Sequence, residues 1–478
     1  MIKIKNIACV GIGGICLMAA SCKVPALQEH KPDVNMPQNF AAATPDTTSW
    51  ASVSWRQFFD DPNLIALLDT ALANNKELQT TLQEIEIAKS EAAFRKSKLY
   101  PTVGIAAGAG VEKVGRYTSQ GAGDASTEIE EGKEMPDPLM DFGVAATASW
   151  EVDIWHKLHN AQTAAQNHYL ATVEGKNFVL SNLIAEVASS YYELVMMDNQ
   201  LDIVQNNITL QEQALEVVKA QKEVGRVNEL AVQKFTAELL KTQGMAYKIQ
   251  QSITETENKI NFLLGRYPQP IQRDRGALLA SLPREIHAGL SSQLLHNRPD
   301  IKQAELELAA AQLDVKVARA EFYPSLDISA AIGLQAFKPS YLFKLPESML
   351  YSLAGDLFAP LINKGAIKAE FSSANARQLQ ALYSYEQTVL NAYLEVTNQM
   401  SNISNLDKEV DKQKQQVDIL NKSIEISRDL FINNRAEYLE VLTTQREVLE
   451  AKLDLFEMKK DQFDAMVKMY KALGGGWR

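Results

Sequence analysis

The sequence predicts a mainly α-helical protein with a membrane β-barrel portion and an internal duplication. Three observations predict this class: long proline-free helical patterns, a Tyr-Pro pair that ends a helical run in each half of the chain, and an alternating strand behind each pair. At Phe94–Gly110 the chain reads FRKSKLYPTVGIAAGAG, and at Val317–Gly333 it reads VARAEFYPSLDISAAIG. Each charged helical run therefore changes into a small-residue strand at the same motif.

The N-terminus predicts export. An apolar stretch from Ile7 to Ala20 follows two lysines, and all three cysteines fall within the first 22 residues. The run that ends at Cys22 resembles a bacterial lipoprotein signal, in which cleavage precedes an acylated cysteine; an ordinary signal peptide or anchor is the alternative. Lys23 replaces the aspartate associated with inner-membrane retention, which implies the outer membrane.

Composition excludes several classes of protein. The formal charge is −11, and an acidic balance argues against nucleic acid, which demands clustered lysine and arginine. Only Cys22 would remain after cleavage, so neither a disulfide framework nor a CxxC zinc site is possible in the mature chain. The sequence contains neither a GxSxG nor an HExxH catalytic motif, and the protein is not expected to be an enzyme.

The lengths of the predicted helices indicate how the rest of the chain is organised. Each long pattern ends at a turn and is followed by a helix of about half its length, and two further half-length helices lead into the Tyr-Pro strands. The predicted helical runs are Asn63–Leu99, Lys157–Val224 and its shorter partner ending at Leu264, Arg298–Phe322, and Ile367–Ile432 and its shorter partner ending at Leu473. The predicted division is a signal peptide at 1–21, an extended segment at 22–55, a first repeat at 56–265, a linker at 266–297 and a second repeat at 298–478.

Four strands are predicted, and they alternate between two faces. They are Leu99–Tyr117, Asp141–Ile154, Phe322–Phe337 and Met349–Leu361, with Gly121–Gly132 as part of an extracellular loop. One face of the first strand is apolar and the other is small and polar, as in a transmembrane barrel. Four strands cannot close a barrel, for which about eight is the usual minimum. Several chains are therefore expected to share one.

Four motifs in order resemble a known family. They are Trp55-Arg-Gln-Phe-Phe-Asp-Asp-Pro62, Trp150-Glu-Val-Asp153, Arg298-Pro-Asp-Ile301, and Tyr438-Leu-Glu-Val-Leu442 followed by Gln445. Together they resemble the TolC-like outer-membrane factors, in the lipoprotein branch that serves resistance-nodulation-division efflux systems. The resemblance implies a trimer whose twelve-stranded β-barrel continues into a twelve-helix α-barrel across the periplasm.

The resemblance also implies function and partners. The chain would be the exit duct of a tripartite pump for small molecules such as drugs, dyes or metal ions. Its partners would be two further copies of itself, a periplasmic adaptor, an inner-membrane pump of the resistance-nodulation-division type and outer-membrane lipid. No cofactor is expected beyond the lipid on Cys22. A conduit for type I protein or peptide secretion is the closer alternative, and a periplasmic coiled-coil lipoprotein is the non-channel one.

The expected site residues follow from the duct. Small polar side chains should line the barrel, and an apolar and acidic gate is implied at the periplasmic tip, although Glu440 could also be a solvated carboxylate. Thr443 stands where the family often has a second acid. The turns between the long and short helices are expected to dock the adaptor. The residues are Thr147, Ser149, Ser325, Asp327 and Ser329 for the pore, Leu439, Glu440 and Thr443 for the gate, and Gly225, Arg226, Asn434 and Arg435 for docking.

Two histidines allow a second interpretation. His156 and His159 stand close together in sequence, near Glu151 and Asp153, at a spacing that could bind a metal. We interpret them as solvated or barrel-rim residues and predict no metal site.

Overall fold

In the computed structural model the chain forms two compact units. The first unit comprises Met1–Lys31, Ile87–Tyr169 and Leu306–Leu382, and the second comprises Pro32–Glu86, Leu170–Glu305 and Tyr383–Arg478. The described residues are 24–27, 30–37, 40, 49–130, 132–276, 278, 288–360, 364–433 and 435–478. Cys22 and Asn434 therefore lie outside the described residues.

Helices account for most of the described chain, and the long ones occur where the sequence predicts them. A long helix of 67 residues is followed by one of 35, and a second long helix of 68 residues is again followed by one of 35. The helices are α1 (Trp55–Phe58), α2 (Pro62–Asn74), α3 (Lys76–Ser97), α4 (Ser119–Asp124), α5 (Lys157–Glu223), α6 (Glu229–Leu263), α7 (Leu294–Asn297), α8 (Pro299–Ala320), α9 (Gly365–Ile432) and α10 (Tyr438–Ala472). Among the described residues, no helix has a stretch long and apolar enough to cross a membrane.

The prediction of one helix over Asn63–Leu99 is wrong, because Asn75 divides it. The Asn75 N–H donates to the Ala71 carbonyl and closes α2, while its side-chain oxygen accepts from the Leu78 N–H at 2.9 Å and begins α3. Its amide group also donates to the Leu263 carbonyl at 2.9 Å. Asn75 is buried, with 5% of its surface exposed. It ends one helix and caps the start of the next, so the two helices do not continue as one.

Four strands form one antiparallel sheet in the first unit, in the order β1-β4-β5-β6. The strands of the sheet are β1 (Thr102–Glu112), β4 (Leu139–Val152), β5 (Ser325–Ala336) and β6 (Met349–Phe358). All four were predicted, but three of them are shorter than predicted: β1 ends at Glu112 and not at Tyr117, β5 starts at Ser325 and not at Phe322, and β6 ends at Phe358 and not at Leu361. β1 also starts at Thr102 and not at Leu99, since Leu99 and Tyr100 still form a turn on the helix end. β4 starts at Leu139, two residues earlier than predicted.

The segment predicted as part of an extracellular loop, Gly121–Gly132, contains a short strand and part of a short helix. Helix α4 begins after Thr118, whose side chain accepts from the Gly121 N–H at 3.1 Å. A small hairpin follows, made of β2 (Glu128–Glu130) and β3 (Lys133–Glu134). Short polar caps of this kind stabilise single turns that periodicity does not reveal.

Each unit has its own apolar packing. In the first unit a cluster joins the end of α8 to the start of α9, and its buried members are Val315, Ala318, Phe322, Phe371 and Ala374. In the second unit the largest fully buried side chains include two tyrosines, Tyr191 on α5 and Tyr470 on α10. The Tyr470 hydroxyl donates to the Val53 carbonyl at 2.7 Å, and its ring stacks on Phe58 with the centroids 4.1 Å apart.

Candidate functional site

The sheet brings the five predicted pore-lining residues to one face. Ser149 on β4 lies directly opposite Ser329 on β5, and opposed residues of an antiparallel pair point to the same side. Two-residue alternation along each strand then places the other three on that side. We call it the polar face, and its predicted members are Thr147, Ser149, Ser325, Asp327 and Ser329.

Three carboxylates lie side by side across the polar face. Glu151 on β4 pairs in register with Asp327 on β5, and Asp327 pairs with Asp356 on β6. We call these three residues the acidic row. Of the three, only Asp327 is among the pore residues predicted from the sequence, because alternation assigns a face to a residue but does not tell which residues of neighbouring strands will meet.

A lysine at the start of α5 partly offsets the acidic row. The Lys157 ammonium contacts the Glu151 carboxylate and lies 3.6 Å from the Glu321 carboxylate. Partial burial acts to lower the pKa of Lys157, but the two carboxylates outweigh burial and the pKa is raised. Lys157 therefore stays protonated at neutral pH at this end of the sheet.

The opposite face of the sheet is apolar. Its large side chains are open to the surroundings of the single chain: Ile105 is 84% exposed, Ile332 61% and Leu353 80%. Apolar side chains on one face and small or acidic ones on the other are the pattern of a sheet between lipid and water.

The first helical turn, between α5 and α6, closes on Gly225. Its φ is +72°, and the Gly225 N–H donates to the Lys222 carbonyl at 2.9 Å. The Arg226 N–H donates to the Gln221 carbonyl, also at 2.9 Å. This pair of bonds is the Schellman arrangement, which satisfies the last carbonyls of a helix and favours glycine. Gly225 and Arg226 are exposed.

The second helical turn, between α9 and α10, repeats part of this geometry. The Arg435 N–H donates to the Leu430 carbonyl at 2.8 Å, with the same five-residue offset as in the first turn. Arg435 is exposed. Asn434, the predicted counterpart of Gly225, lies outside the described residues.

An apolar cluster joins the two helical pairs near these turns. Its buried members come from α5 and α6, and residues beside the second turn pack against it. We call it the tip cluster: Leu215, Val218, Ala231, Val232, Phe235 and Leu239, with Phe431, Tyr438 and Leu442 among the residues packed against them. The two turns are thereby held together within the second unit.

The predicted gate residues lie in and just after the first turn of α10, outside the tip cluster. Leu439 is 45% exposed, Glu440 is exposed and Thr443 is half-buried. Tyr438 and Leu442 supply the packing, so Leu439 and Glu440 remain available to face another surface.

A cavity of about 190 Å³ lies where the sheet meets the helices of the first unit. Four carboxylates and one ammonium are among the groups that line it, a balance of −3. They belong to Glu151, Asp153, Glu321, Asp327 and Lys157.

Asp153 connects this cavity to the two histidines. Its carboxylate accepts from the N–H groups of Leu158 and His159, both at 2.9 Å, and lies 2.8 Å from His159 Nδ1. Partial burial acts to raise the pKa of Asp153, but these hydrogen bonds hold it below its usual value. Asp153, His156 and His159 each offer one donor atom, and these three atoms lie within 4.8 Å of one another. The sequence suggested that both Glu151 and Asp153 lie near the two histidines, and the structure brings Asp153 together with them.

Comparison with known families gives a match over most of the chain. A family model described as outer membrane efflux protein matches residues 67–266 and 290–475. The matched segments contain both long helices, the sheet and both helical turns.

Curated relatives are similar over nearly their whole length. A probable outer membrane lipoprotein, SilC of Salmonella typhimurium, is 26% identical over 463 residues, covering 96% of each chain. The cation efflux system protein CusC of Escherichia coli strain K12 is 27% identical over 466 residues, covering 97% of this chain and 98% of CusC.

A solved structure of CusC has the same fold. It superimposes with a TM-score of 0.79 at 26% identity, covering 95% of this chain and 100% of the CusC chain. The CusC structure is described in connection with folding and the formation of a transmembrane channel.

Proposed function

Because this chain belongs to the outer membrane efflux protein family, we propose that three copies assemble into one continuous exit duct. As a family member it is an efflux channel of the outer membrane and not an enzyme. The fold predicted from the Tyr-Pro strands and paired helices is thus confirmed at the level of the family. The assembly of a trimer, the gate at the periplasmic tip, the docking of an adaptor and the kind of molecule exported are our proposals beyond the family.

The open sheet is the observation that carries the trimer. Strands β1 and β6 are the outer strands of the four, and in the described part of the chain neither pairs with a further strand of the sheet. An unpaired backbone group in lipid is unfavourable by several kcal/mol, so each edge needs a partner. Joining β6 of one copy to β1 of the next gives twelve strands in three copies, within the known range of membrane barrels.

The duct would carry small molecules, with selection made by its partners. We infer that the polar face lines the water-filled interior, and that the acidic row favours cations there. The name of CusC refers to cation efflux, which agrees with an acidic lining. A periplasmic adaptor would hold the two turns through the exposed residues Gly225, Arg226 and Arg435 and through Asn434, and an inner-membrane pump of the resistance-nodulation-division type would deliver the cargo.

The gate would lie at the periplasmic tip. Leu439 and Glu440 are both exposed on α10, and three copies of each around an axis would form an apolar ring and an acidic ring. Since Thr443 carries no charge, Glu440 would supply most of the charge of that gate. An adaptor that separates the helical turns would open it.

Cys22 would carry the covalent lipid that anchors the mature N-terminus. The lipid would only anchor the N-terminus at the membrane surface, whereas the strands, once paired in a closed barrel, would span the bilayer. The description of SilC as a probable lipoprotein agrees with this assignment.

The trimer is tested by native mass spectrometry of the mature protein in mild detergent. We expect a mass of three chains, in the outer-membrane fraction, with mixed helix and strand content by circular dichroism. A stable monomer or a predominantly inner-membrane protein would contradict the shared barrel.

The gate is tested by conductance in planar bilayers. Wild-type protein should conduct poorly, Leu439→Ala should raise the conductance, and Glu440→Gln should reduce the preference for cations. Glu409→Gln, which removes an exposed carboxylate from the middle of the part of α9 that belongs to the second unit, is the matched control and should leave both properties unchanged. If the Leu439→Ala/Glu440→Gln double variant behaves as wild type, the constriction lies elsewhere.

A further inference from the structure

We propose that Asp153, His156 and His159 bind one divalent transition-metal ion, of the Zn²⁺ or Cu²⁺ type, at the junction between β4 and α5. Sequence analysis favoured a solvated role for the two histidines. The structure changes that interpretation, because it brings one donor atom of Asp153 and of each histidine within 4.8 Å of the other two.

The junction positions the three side chains through the backbone. Strand β4 ends at Val152 and α5 begins at Lys157, so all three residues lie in or beside one tight connection. Asp153 is fixed by the N–H groups of Leu158 and His159, and its side chain is only 11% exposed. His156 has a φ of +56° and is the one non-glycine residue with a positive φ in the described ranges.

The donor set suits ions of intermediate softness. Imidazole nitrogen and carboxylate oxygen bind Zn²⁺ at about 2.0–2.2 Å, which places tetrahedral ligands about 3.3–3.5 Å apart. The longest of the present separations, which lies within 4.8 Å, would have to shorten by up to about 1.5 Å, and the 2.8 Å hydrogen bond between His159 Nδ1 and Asp153 would have to open slightly. His156 and His159 are exposed, so their rings can turn toward an ion without repacking a core. Three protein ligands leave a fourth position for water.

The same donor set disfavours soft monovalent ions. The group contains no thiolate or thioether sulfur, and soft ions such as Cu⁺ and Ag⁺ select sulfur ligands. The site should therefore distinguish Zn²⁺ and Cu²⁺ from Ag⁺, whatever cargo passes through the duct.

The surrounding charge attracts cations to this position. Asp153 is one of four carboxylates lining the adjacent cavity, against the single ammonium of Lys157. A negative balance beside the ligands raises the local concentration of cations. A bound ion would connect the end of a membrane strand to the start of the long helix.

Zn²⁺ binding to the purified full mature protein provides the test. The protein is prepared in detergent with a non-histidine affinity tag and titrated with Zn²⁺ by isothermal calorimetry. We expect one ion per chain. His156→Gly removes a ligand and relieves the positive φ, so this variant should fold while its affinity falls at least about tenfold.

Two further variants separate ligation from a purely structural role. Asp153→Asn keeps a helix-capping acceptor but loses the charge, and its Zn²⁺ affinity should fall about 10- to 100-fold. His296→Gln, which removes an exposed histidine in the second unit, should bind Zn²⁺ as wild type does.

Cu²⁺ provides a spectroscopic check. Electron paramagnetic resonance of the Cu²⁺-loaded wild type should show coupling to imidazole nitrogen that is reduced in His156→Gly. No Zn²⁺ binding by the wild type, or equal binding by wild type, His156→Gly and Asp153→Asn, would overturn the proposal.

Discussion

Replacing the buried Arg298 by methionine should lower the free energy of unfolding of the second unit more than the same replacement of an exposed arginine. The Arg298 side chain is 6% exposed, and its guanidinium donates to both carboxylate oxygens of Asp300, at 3.0 and 2.6 Å. It also donates to Glu395 Oε2 at 2.7 Å and to the carbonyl of Ala472, the last residue of α10, at 2.9 Å. Methionine fills a similar volume but leaves these four acceptors without their donor.

The expected loss is about 3 kcal/mol in free energy of unfolding. Breaking a buried ion pair by removing one partner is unfavourable by about 3–5 kcal/mol, because the other charge stays buried and unpaired. Glu395 is 51% exposed while Asp300 is 17% exposed, so water can replace Arg298 at Glu395 but much less at Asp300. The lower end of the range therefore applies. At about 2 °C per kcal/mol for a large domain, the melting temperature should fall by about 6 °C.

Thermal unfolding followed by circular dichroism, at one scan rate and in one detergent, measures this change. Arg446→Met is the matched control, since Arg446 is 48% exposed and pairs with Glu450, which is 59% exposed. An exposed pair contributes about 0–1 kcal/mol, so the melting temperature of this variant should change little. Equal shifts in Arg298→Met and Arg446→Met would refute the assignment of a buried, cooperative clasp to Arg298.

Three further outcomes are expected. The carboxylates of Asp314 and Glu307 raise the pKa of His168 to about 10; the destabilisation caused by His168→Gln should therefore be full below pH 6.5 and disappear as the pH rises through about 10, measured as melting temperature against pH. Gly225→Ala should destabilise the turn by about 1 kcal/mol, because φ is +72° and the strain is only in the backbone, whereas Gly225→Asn should lose less; chemical unfolding of the two variants distinguishes them. Cys22→Ser should abolish incorporation of labelled palmitate and still yield outer-membrane trimers on native gels.

Sequence reasoning predicted the elements that depend on periodicity. The long helices begin and end within about two residues of their predicted bounds, since an uninterrupted helical pattern over many turns dominates local exceptions. The break at Asn75 was missed because it depends on a long-range contact, the hydrogen bond to the Leu263 carbonyl. A propensity scale contains no term for such a partner.

The site was predicted in part for the same reason. Alternation identified a polar and an apolar face, and this assignment agrees with the pairing of Ser149 with Ser329. It did not identify Glu151 and Asp356 as neighbours of Asp327, because register depends on how the strands pair. The meeting of Asp153 with the two histidines depends on the φ of His156, which sequence spacing does not specify.

The acidic row also bears on which face of the sheet meets water. Glu151, Asp327 and Asp356 are directly opposed, and like charges in that arrangement are destabilising. In water, two charges about 4 Å apart repel by only about 1 kcal/mol, whereas in a medium of low dielectric constant the repulsion is many times larger. Lys157 contacts only Glu151 of the three, so it cannot neutralise the row. Three neighbouring carboxylates are therefore tolerable on a water-filled side and prohibitive against lipid, which supports the proposal that the polar face lines the duct.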